Sequence, residues 1–351
     1  MAGSITRPVT AKRATPRALG FRMPAEWELH EATWLAWPHE KSDWPGKFEP
    51  IPWLYGEIVR HLARVEHVRI LVEDAETEQR ARRILKKCHA DLAAVEFFHH
   101  PTNRSWTRDF CPLFIKNGAR EIAVTEWKFN GWAKYDNYER DAAVPEALAS
   151  QLNMRSWQPG LVLEGGAIDV NGAGKLLATE ECLLSDMQAR NPGVSRRQME
   201  RAFTDYLGAT EVIWLGRGIA GDDTHGHIDD VARFTSPDTV VIVAERDRLS
   251  ANYEPLAENL ARLRSRGNLR VASLPCPEPV YFNRQLLPAS YANFYIANRL
   301  VLAPIFGEQA DRVALNTLAR LFPDREVIGI PCRDLVLGLG TLHCMTMQQP
   351  G

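Results

Sequence analysis

The chain has 351 residues, of which 45% are hydrophobic and 25% charged, and its formal net charge is -2. That is long enough for one large domain or two ordinary ones, with ample core either way, and the composition is that of a globular protein in water. The near-neutral balance leaves no electrostatic footprint for nucleic acid or an anionic membrane surface, and no apolar run reaches the length of a membrane span.

Residues 1–25 are basic, hold no Asp or Glu and lack an apolar h-region, which argues against a secretory signal. A flexible basic tail over residues 1–22 is expected, with an organelle transit peptide as the weaker alternative. Residues 23–351 are expected to form a single domain, because no Gly/Ser linker or low-complexity break divides them.

Strands are predicted at VRILV (68–72), LFI (113–115), GLVLEGGAIDV (160–170), KLLAT (175–179), EVIWL (211–215), TVVIVAE (239–245), RLVLAPIF (299–306) and EVIGI (326–330). Most are rich in Val and Ile and bounded by Gly, Pro, Asn or Asp. Helical spacing fills 53–65, 75–88, 196–207, 255–266 and 310–321, where Ala314, Leu315, Leu318 and Leu321 fall near one face. Strand and helix alternate, so the fold class is α/β. A strand, bend, helix, strand unit recurs faintly, clearest in RLVLAPIFG…RVALNTLARLFPDREVIGIPC. No GxGxxG or P-loop opens a helix, so nucleotide binding has no support. The six cysteines, Cys88, Cys111, Cys182, Cys276, Cys332 and Cys344, form no CxxC pair and read as reduced thiols of a cytoplasmic protein.

Three stretches concentrate reactive residues. In SWTRDFCPLFI (105–115), Trp106 and Asp109 precede a strand; an aromatic face beside a carboxylate suits a planar cation, whereas an Arg108–Asp109 surface pair with a core Trp is the plainer alternative. GIAGDDTHGHIDDVARF (218–234) packs Asp222, Asp223, His225, His227, Asp229 and Asp230 into nine positions. If 227–229 is extended, His227 and Asp229 point to the same face. A solvated acidic turn is the alternative. HGHIDD also resembles the HxHxDH metal motif of metallo-β-lactamase-like hydrolases, but of ten histidines only His343 follows His227, and Asp230 replaces the last motif histidine. The third stretch, GLGTLHCMTMQQPG (338–351), sets Cys344 behind two glycines that permit a tight bend. A free thiol is mostly protonated at neutral pH, so a nucleophilic Cys344 needs help from His343, His227 or a bound cation.

Together, MPAEWELHEATWLAWP (23–38), WTRDFCPLF (106–114), KFNGW (128–132), LEGGAIDVNGAGKLLATEECLL (163–184), GDDTHGHIDD (221–230) and GLGTLHCMTMQQP (338–350) resemble the agmatine deiminases and related bacterial-type peptidyl-arginine deiminases of the guanidine-modifying, or pentein, superfamily. The resemblance implies a five-bladed α/β propeller with pseudo-fivefold symmetry and an axial active site. It implies Cys344 as nucleophile, His227 as general acid/base, and Asp109 and Asp229 as the carboxylates gripping the guanidinium. Trp106 falls near the guanidinium plane, and Glu164 and Asp223 at acidic positions lining the pocket. No metal or organic cofactor is implied. The expected partner is a small guanidinium substrate, agmatine first and peptidyl or free arginine second; a homo-oligomer is left open. A catalytically silent guanidine- or polyamine-binding protein is the alternative from another class. Three positions depart from the family pattern. Cys111 replaces a Gly, while Leu339 and Thr341 replace a Gly and an Asn before the nucleophile. Leu339 takes positive φ only at a cost, and Thr341 removes an amide near the thiol.

Overall fold

The computed structural model describes residues 14–351. Five sheets of three or four strands carry the fold, with a separate hairpin, Tyr281–Phe282 and Gln285–Leu286. Four of the sheets repeat one pattern, an antiparallel pair followed by a parallel strand. They are built from Leu113–Lys116, Ile122–Thr125 and Arg155–Trp157; Ile168–Val170, Lys175–Thr179 and Glu211–Leu215; Ala232–Ser236, Thr239–Ala244 and Arg270–Pro275; and Tyr295–Ala297, Leu300–Ile305 and Glu326–Pro331. The remaining sheet takes its antiparallel strand from the chain's far end. Met347–Pro350 pairs with His30–Ala36, and His67–Val72 and Val95–His99 follow in parallel. Helix lies between the second strand and the parallel strand of every unit, as a parallel crossover requires.

These elements form for local reasons. Ile51–Leu62 starts with Pro52 in its first turn and buries Ile51, Tyr55, Ile58, Val59 and Leu62, one face at helical spacing. Gln309–Leu321 opens on a capping box between Glu308 and Asp311 and buries Ala314 and Leu318. Thr239–Ala244 is apolar at almost every position because both of its faces are covered.

Two expectations change. GLVLEGGAIDV is a strand only at Ile168–Val170; before it the chain turns through Gly165–Ala167. The glycines enforce this, since a Cβ on Gly165 would lie 2.2 Å from the Arg108 carbonyl oxygen and one on Gly166 2.6 Å from the His227 ring. The expected basic tail lies outside the described residues for 1–13. Within 14–22 the chain packs: Phe21 is buried edge-on to Trp157, and Arg22 pairs with Glu28.

Candidate active site

Loops at the ends of the sheets converge on one cavity of about 230 Å³. Its lining includes Asp43, Trp106, Asp109, Trp132, Asp223, Leu339 and Cys344. Thus Cys344, Asp109, Trp106 and Asp223 share one wall system, with His227 and Asp229 buried directly behind.

Cys344 is held by its neighbours on all sides. Its carbonyl accepts from the Arg108 amide at 3.1 Å. Its sulfur accepts from the Asn293 side-chain amide at 3.1 Å and lies 3.7 Å from Asp229 Oδ2. Burial, then Asp229, Asp230 and Asp109, push the thiol well above its ordinary range. These surroundings favour the protonated thiol, and a cation held among the carboxylates would favour the thiolate.

Asp109 sits in the short helix Thr107–Phe110. It accepts from the Trp132 indole at 2.8 Å and the Gly166 amide at 3.0 Å, and makes no ion pair with Lys or Arg among the described residues. Burial raises its pKa to about 6, with the charges of Asp229 and Glu164 adding and His227 opposing. Arg108, its neighbour, is no surface partner: it is buried against Glu26, Gln348 and the His343 carbonyl. The Arg108–Asp109 surface pair is thereby excluded.

His227 and Asp229 do not share an extended strand. Ile228–Asp230 is a 3-10 turn, which brings the Asp229 carboxylate back to 3.9 Å from His227 Nδ1, while Asp109 stands 3.8 Å from the same nitrogen. Neither ring nitrogen of His227 has a hydrogen-bond partner among the described residues. Burial disfavours its charge, but Asp109, Cys182 and Glu164 outweigh that and raise its pKa well above the ordinary value. Asp229 is buried too, yet its hydrogen bond to His343 and the charges of His343 and His227 hold it below the usual range.

Glu164 stands behind His227 instead of on the cavity wall, 3.8 Å from Nε2, with Arg190 donating to its other oxygen at 2.9 Å. Burial opposes its ionisation, but Arg190 and His227 bring its pKa down to about 2. Asp223 lies at the mouth, paired with Lys134 and accepting from Tyr135 at 2.7 Å. Trp106 forms part of the wall, stacks against Trp44 and donates to Asp43 at 3.2 Å.

The glycines before Cys344 act differently from expectation. Leu339 carries the positive φ, at 68°. Gly338 and Gly340 are needed for closeness, since a Cβ on Gly338 would lie 2.7 Å from both Trp44 and Trp106, and one on Gly340 would meet Trp106 at 2.9 Å. The amide that Thr341 lacks is replaced from elsewhere. Thr341 donates to Asn293 Oδ1 at 2.8 Å, and Asn293 meets the thiol. Asn293, Trp132, Glu26 and His343's place behind Asp229 were not found from sequence. Trp132 and Glu26 lay inside quoted motifs, but Asn293 stands in an unmarked stretch, YANFYIANR, with no signal of its own.

Glu164, Cys182 and His227 are the one group among the described residues whose ligand atoms lie close enough to hold a metal, all within 4.8 Å of one another. The Arg190 guanidinium already pairs with Glu164, and a fixed positive charge there opposes a metal cation. His225 is not in this group; it lines a surface pocket with Glu180 and Arg217. The HxHxDH arrangement is therefore not assembled.

The family model for Porphyromonas-type peptidyl-arginine deiminases matches residues 22–350. A Legionella pneumophila protein, provisionally named an agmatine deiminase, is 34% identical over 95% of this chain and 96% of its own length. The solved agmatine deiminase of Enterococcus faecalis superposes with a TM-score of 0.89 at 30% identity, over 97% of this chain and 98% of that one. A substrate-bound agmatine deiminase of C. jejuni gives 0.87 at 29% identity, over 94% and 96%. The chain belongs to the family of Porphyromonas-type peptidyl-arginine deiminases, a family of guanidinium-hydrolysing deiminases.

Proposed function

We propose that this chain hydrolyses the guanidinium group of agmatine, giving N-carbamoylputrescine and ammonia. The observation that carries the reading is the meeting of one thiol with two buried carboxylates that make no ion pair with Lys or Arg among the described residues, with His227 within 3.9 Å of both carboxylates. Such a floor is costly when empty and favourable around a cation.

In this reading Asp109 and Asp229 grip the guanidinium nitrogens. The cation's charge releases the Cys344 proton, and Asn293 steadies the thiolate. The sulfur adds to the guanidinium carbon, His227 protonates one terminal nitrogen, and the C–N bond breaks to release ammonia. An S-alkylthiouronium remains on Cys344. His227 then takes one proton from water, the oxygen adds to the same carbon, and the C–S bond breaks to return the thiolate, while the remaining hydroxyl proton passes to solvent and leaves the neutral ureido product. Glu164 supports the charged form of His227, and Trp106 walls the guanidinium plane. Asp223 faces the substrate's far end, where agmatine carries its ammonium.

Arginine, free or in a peptide, is the second reading. Arg104 on the cavity wall and Lys134 beside Asp223 are cations that a substrate carboxylate could meet. The deiminase reading takes the five sheets as blades of a propeller around this cavity, supported by the strand pattern repeated from sheet to sheet. It sets the enzyme in the cytoplasm, where a catalytic thiol stays reduced.

The test is ammonia and ureido-product release from agmatine, arginine and a blocked arginine peptide, with EDTA present and Cys344→Ala as control. Turnover of agmatine alone, lost in the variant, is the expected result. Turnover of the peptide instead would move the substrate. Ligand-protected alkylation of Cys344 without turnover on any of the three would favour a binding protein.

A further inference from the structure

Glu26, in the opening motif MPAEWELHEATWLAWP, does not line the cavity, yet it is buried. Its Oε1 accepts from the Ile296 amide at 2.8 Å and pairs with Arg233 at 3.0 Å. Its Oε2 pairs with Arg108 at 3.2 Å and meets His343 Nε2 at 2.8 Å. The opposite nitrogen of the same ring, His343 Nδ1, lies 2.7 Å from Asp229 Oδ2. Asp229 Oδ1 is buried and has no hydrogen-bond partner among the described residues, its charge facing His227 Nδ1 at 3.9 Å. A straight path therefore runs Glu26–His343–Asp229 and ends on one bare carboxylate oxygen.

Resting on the deiminase reading above, we infer that Glu26 and His343 are positioning residues: together they aim Asp229 Oδ1 at the substrate guanidinium and keep that carboxylate ionised. Both ring nitrogens of His343 face carboxylate oxygens, and a carboxylate only accepts, so both contacts are hydrogen bonds only when the ring donates from each side. That double donation fixes the ring, and the ring in turn fixes which Asp229 oxygen stays free. Without it, Asp229 stands in a dry site beside Asp230 and Asp109 and gains by taking a proton. The groups facing this path are Arg108, Arg233 and Asp169 at the Glu26 end, and His227, Asp109, Asp230 and Cys344 at the Asp229 end. The arrangement also explains a histidine set directly before the nucleophile: His343 does not reach the sulfur but holds the carboxylate next to it.

Two variants separate positioning from packing. In His343→Asn the side-chain amide nitrogen stands in for Nδ1 and keeps a donor on Asp229. In His343→Gln it stands in for Nε2, keeps the link to Glu26 and leaves Asp229 without a donor. Agmatine affinity is measured calorimetrically in the Cys344→Ala background, and KM and kcat in the intact enzyme, with Tm for each variant. His343→Gln is expected to weaken Kd and raise KM by about tenfold or more, as loss of a charge-assisted hydrogen bond does, while His343→Asn stays within about threefold. Equal weakening in both variants with a matching fall in Tm would reduce His343 to a packing role and overturn the inference, as would wild-type Kd in His343→Gln. Failure of the wild type to turn over agmatine, with the contrast in Kd intact, would sink the deiminase reading and leave the positioning path standing.

Discussion

The two ends of the cavity hold carboxylates in opposite condition. At the mouth, Asp223 has a cation, Lys134, already in place. At the floor, Asp109 has only neutral donors, an indole and a backbone amide, and Asp229 has one oxygen on His343 and the other bare. A carboxylate with a lysine already in place gains little from another cation, whereas buried carboxylates crowded together with only histidines paired to them gain more. The floor is thus where the guanidinium belongs, and the mouth measures the length and tail of whatever carries it.

Asp109→Asn is the hardest blow to that contrast. An amide cannot neutralise a buried cation, and leaving a buried charge unpaired costs about 3–5 kcal/mol, so kcat/KM should fall by about 10²–10⁴. Stability should not fall with it, because the empty site loses a charge that burial opposed. A variant that kept most of its kcat/KM, or lost both activity and Tm, would show that Asp109 is no substrate carboxylate.

A pH titration sharpens the same point. Asp109 is raised to about 6 in the folded protein, while an unfolded Asp titrates near ~4. The folded state therefore holds this proton more tightly, and Asp109's contribution to stability declines as pH rises between about 4 and about 6. A bound cation removes that decline. Agmatine should raise Tm more at pH 8 than at pH 5, and kcat/KM should have an acid limb near about 6 that Asp109→Asn lacks. Equal ligand-induced shifts at both pH values would contradict the assignment.

The contrast also marks what a reader of the sequence could see. The stretches holding Trp106, Asp109, His227, Asp229 and Cys344 stood out because acidic and aromatic residues crowd there, but their roles came from the family resemblance, and only the fold shows them meeting around one cavity. Lys175–Thr179, Glu211–Leu215, Thr239–Ala244, Leu300–Ile305 and Glu326–Pro331 were legible as strands, and helix near 51–62, 75–87, 196–207, 253–264 and 309–321 from periodicity, but His30–Ala36, Ile122–Thr125, Arg270–Pro275 and the helix Val144–Gln151 were not legible. Nor was Ala232–Ser236, because it buries Arg233 in mid-strand, and Arg155–Trp157 is too short to show a pattern. The Glu–Gly–Gly turn read as strand because nothing local reveals that Arg108 and His227 press on it. Long-range partners such as Glu26 and His343, or Asn293 and Cys344, have no signature in one sequence; only the closed fold brings them together.

At the mouth the effects should be smaller. Asp223→Asn removes a carboxylate that already has Lys134 and Tyr135, and half-exposed pairs are worth about 0–1 kcal/mol. Its KM for agmatine should rise less than about tenfold with kcat unchanged. Loss on the scale of Asp109→Asn would mean that Asp223 meets the ammonium directly and that the mouth is not self-neutralised.

The smallest effect is expected at Leu339, between floor and mouth. Its φ of 68° puts a branched side chain in the left-handed region, a strain of about 1–2 kcal/mol. Leu339→Gly relieves that strain, but glycine gains unfolded-state freedom worth about 0.5–1 kcal/mol, and the half-buried leucine also gives up its packing on the core and the cavity wall. These terms nearly cancel, so Tm should move by no more than a few degrees. Gly338→Ala, one residue away, is the opposite case. Its backbone needs no positive φ, yet its new Cβ would meet two Trp rings at 2.7 Å, and overpacking of that kind costs about 1–3 kcal/mol. A stable Gly338→Ala beside a collapsed Leu339→Gly would reverse the roles assigned to this bend, making dihedral freedom at 338 irrelevant and the Leu339 side chain the element that holds the nucleophile loop in place.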